Sequence, residues 1–216
     1  MAQEIIFAQD VLLSFPHLVE AYKGKMAAAN AAPKYSADFI LTPSHPALKS
    51  FMERYAELAQ QKWAEHAQTV MGMIQSDRKL RCFGPGTEKV DKKTFKPYAG
   101  YDGNFFISAS RENAPQMIRG DGTPVEASNV MEYQALARKM YGGCYVNVAL
   151  RPWLQDNSFG RGIRCDFVAI QFSKDGTPFG DTAGTADLSN MFGAVSAPSA
   201  SAAPAFPGMP SLPSFM

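Results

Sequence analysis

The order of apolar and polar positions predicts a β-rich body with one long helix. Ile5 to Phe15 carries β-branched and aromatic side chains and stops at Phe15-Pro16-His17, where proline cannot donate to a ladder. Lys34 to Thr42 alternates, with Tyr35, Ala37, Phe39 and Leu41 on one face and Lys34, Ser36 and Asp38 on the other, the period of a half-buried strand. Ser44 sits two residues before Pro46, which fits a helix start. Leu48, Phe51, Met52, Tyr55, Leu58, Ala59, Trp63, His66, Ala67 and Val70 then recur at three and four, predicting a helix of about 25 residues that ends near Gly72.

Ser76 to Lys96 contains Gly84-Pro85-Gly86 and reads as a long loop or hairpin. Tyr98 to Ser110 alternates from Tyr101 onward, with Ala114 to Arg119 as its expected partner. After Gly120-Asp121-Gly122, Glu126 to Met140 reads as a short helix. Cys144 to Leu154 alternates cleanly: Cys144, Val146, Val148 and Leu150 form the expected core face, and Tyr145, Asn147, Ala149, Arg151 and Trp153 the amphipathic one. Gly160 to Phe172 is the last long strand, closed by the turn Lys174-Asp175-Gly176. The fold expected is mainly β (α+β), a five-stranded Greek-key barrel with one long inserted helix.

Composition sharpens this in two places. Hydrophobic residues make up 46% of the 216, enough for a real core, yet Leu188 to Met216 carries no charge and consists of Ala, Ser, Pro and Gly with Phe192, Phe206 and Phe215 dispersed through it. Such a segment cannot offset its ordering entropy with a core, so a body at 1–187 and a flexible tail at 188–216 are expected. No uncharged apolar run approaches the ~18 residues of a membrane span, and the start lacks a signal-peptide pattern, so a soluble intracellular protein without membrane partners is expected. Cys82, Cys144 and Cys165 are odd in number and far apart, which suggests reduced thiols.

The formal net charge is +1, so any attraction for a polyanion has to come from distribution. Ser76 to Ser110 holds seven basic residues (Arg78, Lys79, Arg81, Lys89, Lys92, Lys93, Lys96) against four acidic ones. His17, His45 and His66 have no ligand spacing, and phosphate-cradle and nucleophile-elbow motifs are missing; no catalytic residue, metal or cofactor is expected. What rises above background is aromatic residues interleaved with basic and polar ones. Tyr145, Asn147, Arg151 and Trp153 share a strand face, and Lys96, Tyr98 and Tyr101 are followed by Phe105 and Phe106. Such surfaces stack bases and neutralise phosphates. The competing reading is a second small core holding Trp153 and Tyr145.

LLSFPHLVEAY (12–22), KYSADFILTPSHP (34–46), KPYAGYDGNFFISASRENAPQMI (96–118), YGGCYVNVALRPW (141–153) and KDGTPFG (174–180), in that order, resemble the phage single-stranded DNA-binding protein family with an OB-fold. The resemblance implies an OB-type barrel that coats single-stranded DNA in phage replication or recombination, in the host-cell cytoplasm and without catalysis. Its YAGY strand (98–101) and Gly-Cys-Tyr-Val-Asn strand (143–147) imply DNA contacts at Tyr98, Tyr101, Tyr145 and Asn147; the interleaved pattern adds Phe106, Arg151 and Trp153, and the charge distribution adds Arg78, Lys79, Arg81, Lys93, Lys96, Arg151 and Arg164 as expected phosphate contacts. The partners implied are single-stranded DNA, phage or host replication proteins and a second copy of the chain. Related proteins often end in an acidic tail; here the last acidic residue is Asp187, so recruitment by this tail, through Phe206 and Phe215, would be apolar. A phage structural or assembly protein docking partners through that tail is the runner-up, and a small enzyme on the barrel comes third.

Overall fold

The computed structural model describes residues 5–24, 31–126, 128–158 and 160–180; the tail expected after Asp187 lies outside them. The described chain forms one seven-stranded sheet in the order β3-β4-β2-β1-β6-β7-β5. The strands are β1 (Ile6–Tyr22), β2 (Lys34–Leu41), β3 (Phe83–Pro85), β4 (Phe105–Arg111), β5 (Gln116–Ile118), β6 (Tyr145–Asn157) and β7 (Gly160–Lys174). The count is seven where five were expected, because β3 and β5, three residues each, join five longer strands.

β1 runs through Pro16 to Tyr22 where the sequence predicted a stop. Its register against β2 shifts between Ser14 and His17, so Pro16 sits where no ladder donor is needed. Phe15 takes φ +46° there, and Asp10 takes φ +50° at a second irregularity between Ala8 and Val11. β5 pairs parallel with β7, through Met117 and Ile170, and not with β4. β4 already lies between β2 and β3, so both of its edges are occupied.

The predicted long helix is two. α1 (Pro46–Trp63) and α2 (Ala67–Ser76) are separated at Ala64, whose φ of +44° breaks the α-helical path. The N-cap is His45, one residue after the expected Ser44: its Nδ1 accepts from the Ala47 N–H at 3.1 Å while Nε2 donates to the Gln9 carbonyl at 2.9 Å. Ala47, Phe51, Tyr55, Ala59 and Trp63 recur at every fourth position and are buried, and Phe51 and Tyr55 meet Phe83 edge-on. The last helix, α3 (Val130–Lys139), starts four residues later than predicted because the Asn129 side chain caps it by accepting from the Glu132 N–H.

Core positions follow the sequence pattern. Phe39 of β2 meets Phe167 of β7 edge to face at 5.8 Å, and Val146, Val148 and Leu150 of β6 are buried with them. β4 and β7 also approach each other, with Arg111 donating to the Val168 carbonyl at 3.3 Å.

Candidate nucleic-acid interface

The outer face of β2 and β4 is polar by alternation. Ser36 lies opposite Ser110 and Asp38 opposite Ser108, while the intervening Phe39–Ile107 and Ala37–Ala109 pairs face the core. These small polar residues line the floor of a trough. One end, about 520 Å³, is lined by Phe15, His17, Tyr22, Lys34 and Lys89; the other, about 590 Å³, by Lys34, Arg81, Arg111, Trp153 and Arg164. Lys34, Ser108 and Ser110 line both, so the two hollows adjoin along the outer face of β2 and β4.

At the second end the cations are aimed and braced. Trp153 is 40% exposed and its indole N–H donates to Asp166 at 2.9 Å, which holds the ring at the trough wall. Opposite it across the β6–β7 ladder, Arg164 donates to Gln155 and to the Lys79 carbonyl. Arg81 donates to the Phe83 carbonyl at 2.7 Å and pairs with Glu88 at 2.6 Å. Gly84 permits this: a Cβ there would lie 2.3 Å from the Arg81 guanidinium. Trp63 donates to Asp156 at 2.8 Å, tying α1 to the hairpin that carries Trp153.

At the first end the same outer face becomes apolar and is covered. Ile40 lies opposite Phe106 on β4, and the loop over residues 97–104 folds across them, so Tyr101 is 0% and Phe106 3% exposed. Gly86 lets the loop settle, since a Cβ there would fall 1.8 Å from the Tyr101 carbonyl oxygen. The Tyr101 hydroxyl donates to Asp38 at 2.6 Å, and burial, reinforced by that carboxylate, pushes the phenol well above its usual range. Lys89 Nζ donates to the same carboxylate at 2.6 Å. Beyond the loop, Phe15 meets Tyr98 edge-on at 5.1 Å, with both rings partly exposed. His17 stacks on Tyr22 at 4.4 Å.

A family model described as Enterobacter phage Enc34, ssDNA-binding protein, matches residues 3–197. The chain belongs to that family. The family's homologues are binding proteins and not enzymes. The chain is 27% identical over 172 residues to protein p50 of Acyrthosiphon pisum secondary endosymbiont phage 1, covering 79% of this chain and 83% of that one. It also resembles the single-stranded DNA-binding protein of bacteriophage Enc34 solved in complex with ssDNA, at 26% identity and TM-score 0.61, over 82% of this chain and 90% of that one. A second structure of the Enc34 protein gives 25% identity and TM-score 0.58, over 87% and 89%.

Within this Enc34-type chain, the structure brings Trp153, Arg81 and Arg164 together and sets Tyr98 beside Phe15. It corrects the expectation for Tyr101 and Phe106, which have no open ring face because the loop packs on them. Tyr145 and Asn147 are on the predicted face but engaged away from the trough. Lys174 Nζ lies 4.8 Å from the Tyr145 ring centre, and the Asn147 amide bridges the Asp10 N–H and Gln171. Arg151 shares that face, half-buried, with Nε lacking a partner. Arg78 and Lys79 are exposed on a 3-10 turn, and Lys93 and Lys96 on the loop that follows β3. Sequence reasoning missed Lys34, Arg111 and Phe15. Lys34 was legible, as it stands on the polar face of an alternating strand; Phe15 required the bulge to turn it outward.

Proposed function

We propose that this chain binds single-stranded DNA in a sequence-tolerant way, stacking bases on Trp153 and the Phe15–Tyr98 pair and neutralising phosphates with Lys34, Arg81, Arg111 and Arg164. The observation that carries this reading is the pair of adjoining hollows that form the trough, with an oriented tryptophan among cations at one end and exposed aromatics at the other. The Enc34 protein, a relative over most of the chain, was solved with ssDNA, and this supports the same ligand here. The long strands in the order β4-β2-β1-β6-β7, with β4 and β7 approaching, support an OB-type Greek-key barrel. The family and its phage relatives support a place in phage DNA replication or recombination inside the host cell.

Labelled oligothymidine and a duplex of equal length, titrated side by side at low salt, test the reading. Tight single-strand binding with far weaker duplex binding is expected, because duplex bases are not free to stack. Equal affinities would overturn it in favour of non-specific adhesion.

A further inference from the structure

Among the cations bordering the trough, Lys89 is held differently from Lys34. Lys34 reaches Glu112 only at 4.0 Å, with both side chains largely exposed. Lys89 Nζ donates to Asp38 at 2.6 Å and to Ser108 Oγ at 3.1 Å, lies 4.6 Å from the Phe106 ring centre, and its side chain is 20% exposed. Asp38 is fixed in turn by Tyr101 at 2.6 Å and Ser108 at 2.5 Å, so it accepts at both oxygens. An ammonium has three donors; Asp38 and Ser108 take two, the third has no hydrogen-bond acceptor among the described residues, and the side chain borders the trough. Because Asp38 already balances its charge, Lys89 attracts phosphate weakly. A fixed donor in a recess rimmed by Phe15, His17 and Tyr22 is instead suited to the edge of a stacked base.

We propose that Lys89 is a specificity-determining donor that reads the carbonyl edge of a base and favours thymine over cytosine. The proposal rests on the single-strand reading above and adds a graded preference within tolerant binding. Thymine presents O4, an acceptor, where cytosine presents an amino donor. Facing Lys89, the amino group opposes donor to donor, whereas O4 accepts.

The test uses oligothymidine, oligodeoxyuridine and oligodeoxycytidine of one length with the full chain. These pyrimidines stack comparably, and uracil keeps O4 while lacking the thymine methyl. Thymine and uracil strands are expected to bind about threefold to tenfold more tightly than cytosine, the scale of one hydrogen bond. Equal thymine and cytosine affinities would overturn the proposal, as would a thymine preference that uracil does not share, which would assign it to the methyl. Binding of none of the three would overturn the single-strand reading itself, a distinct failure. In the paired variant Lys89→Met with Asp38→Asn, which removes donor and buried charge together, the thymine-to-cytosine ratio should fall to near one. A folded variant that keeps the native ratio would overturn the assignment. If that variant does not fold, Lys89→Met alone gives the same readout, and an unchanged ratio in it would overturn the assignment.

Discussion

Two segments of this chain carry nearly the same chemistry and meet opposite fates. Residues 98–106 and 145–153 both interleave aromatic with polar or basic side chains, yet Tyr101 and Phe106 are buried and Trp153 stands at the trough wall. Trp153 lies on a strand whose burial alternates residue by residue, so its direction follows from position alone. Phe106 also lies on an outer strand face, opposite Ile40, but the loop carrying Tyr101 closes over that end. Alternation therefore decides which face a side chain takes, while a covering loop decides whether that face is open.

The largest separation of the two segments should come from stability. Tyr101→Ala empties a fully buried site and removes one of the three donors to Asp38, so it should destabilise the fold by about 3–5 kcal/mol. Tyr101→Phe, which removes only the donor to a buried carboxylate, should cost about 1–3 kcal/mol. Chemical denaturation of both variants against native protein checks this. A Tyr101→Ala variant as stable as native protein would erase the contrast.

Next in size is the binding arm. Trp153→Ala should leave the melting temperature nearly unchanged and weaken oligothymidine binding by about 1–3 kcal/mol. Isothermal titration beside a thermal melt separates the two effects; an unfolded variant with no specific loss of binding would place Trp153 in a core.

Sequence pattern made the core faces of β2, β4 and β6 and the outward direction of Trp153 legible, because a period of two projects directly onto a pleated strand. It also gave the helix face from Ala47 to Trp63, though not the break at Ala64, since a single positive φ leaves the spacing of apolar residues almost intact. Phe15 was hidden because its exposure depends on a bulge. Pairing of β5 with β7 was hidden because three residues carry no register information of their own. Lys34, Ser36 and Asp38 were placed on the right face without their role in the trough, which needed the partner residues of β4.

Smaller effects sharpen the electrostatic side. The cations at the Trp153 end share it with Glu112 and Asp166, so two to four neutralised phosphates are expected. That gives a slope of log affinity against log salt of about −1.4 to −2.8, at ~0.7 per phosphate. Lys34→Gln should flatten the slope by about 0.7 while leaving the melt unchanged. A control away from the trough is His45→Ala, which removes the α1 cap and should cost about 1 kcal/mol of stability with DNA affinity unchanged. The smallest signal is chemical. Burial pushes the Cys82 thiol up to about 12 and Cys144 to about 11. At pH 8 both remain protonated, so alkylation followed by mass spectrometry should be negligible in native protein and rapid in denaturant.

The most direct test of the trough uses the chain's own fluorescence. Trp63 is buried at the C-terminal end of α1 and Trp153 stands at the trough wall, and the sequence has two tryptophans in all. In a Trp63→Phe background, oligothymidine added at low salt should quench Trp153 emission saturably, in step with an anisotropy titration of labelled strand, and added salt should restore the emission. Binding seen by anisotropy with Trp153 emission unchanged would show that the strand lies elsewhere on the protein, and would contradict the account.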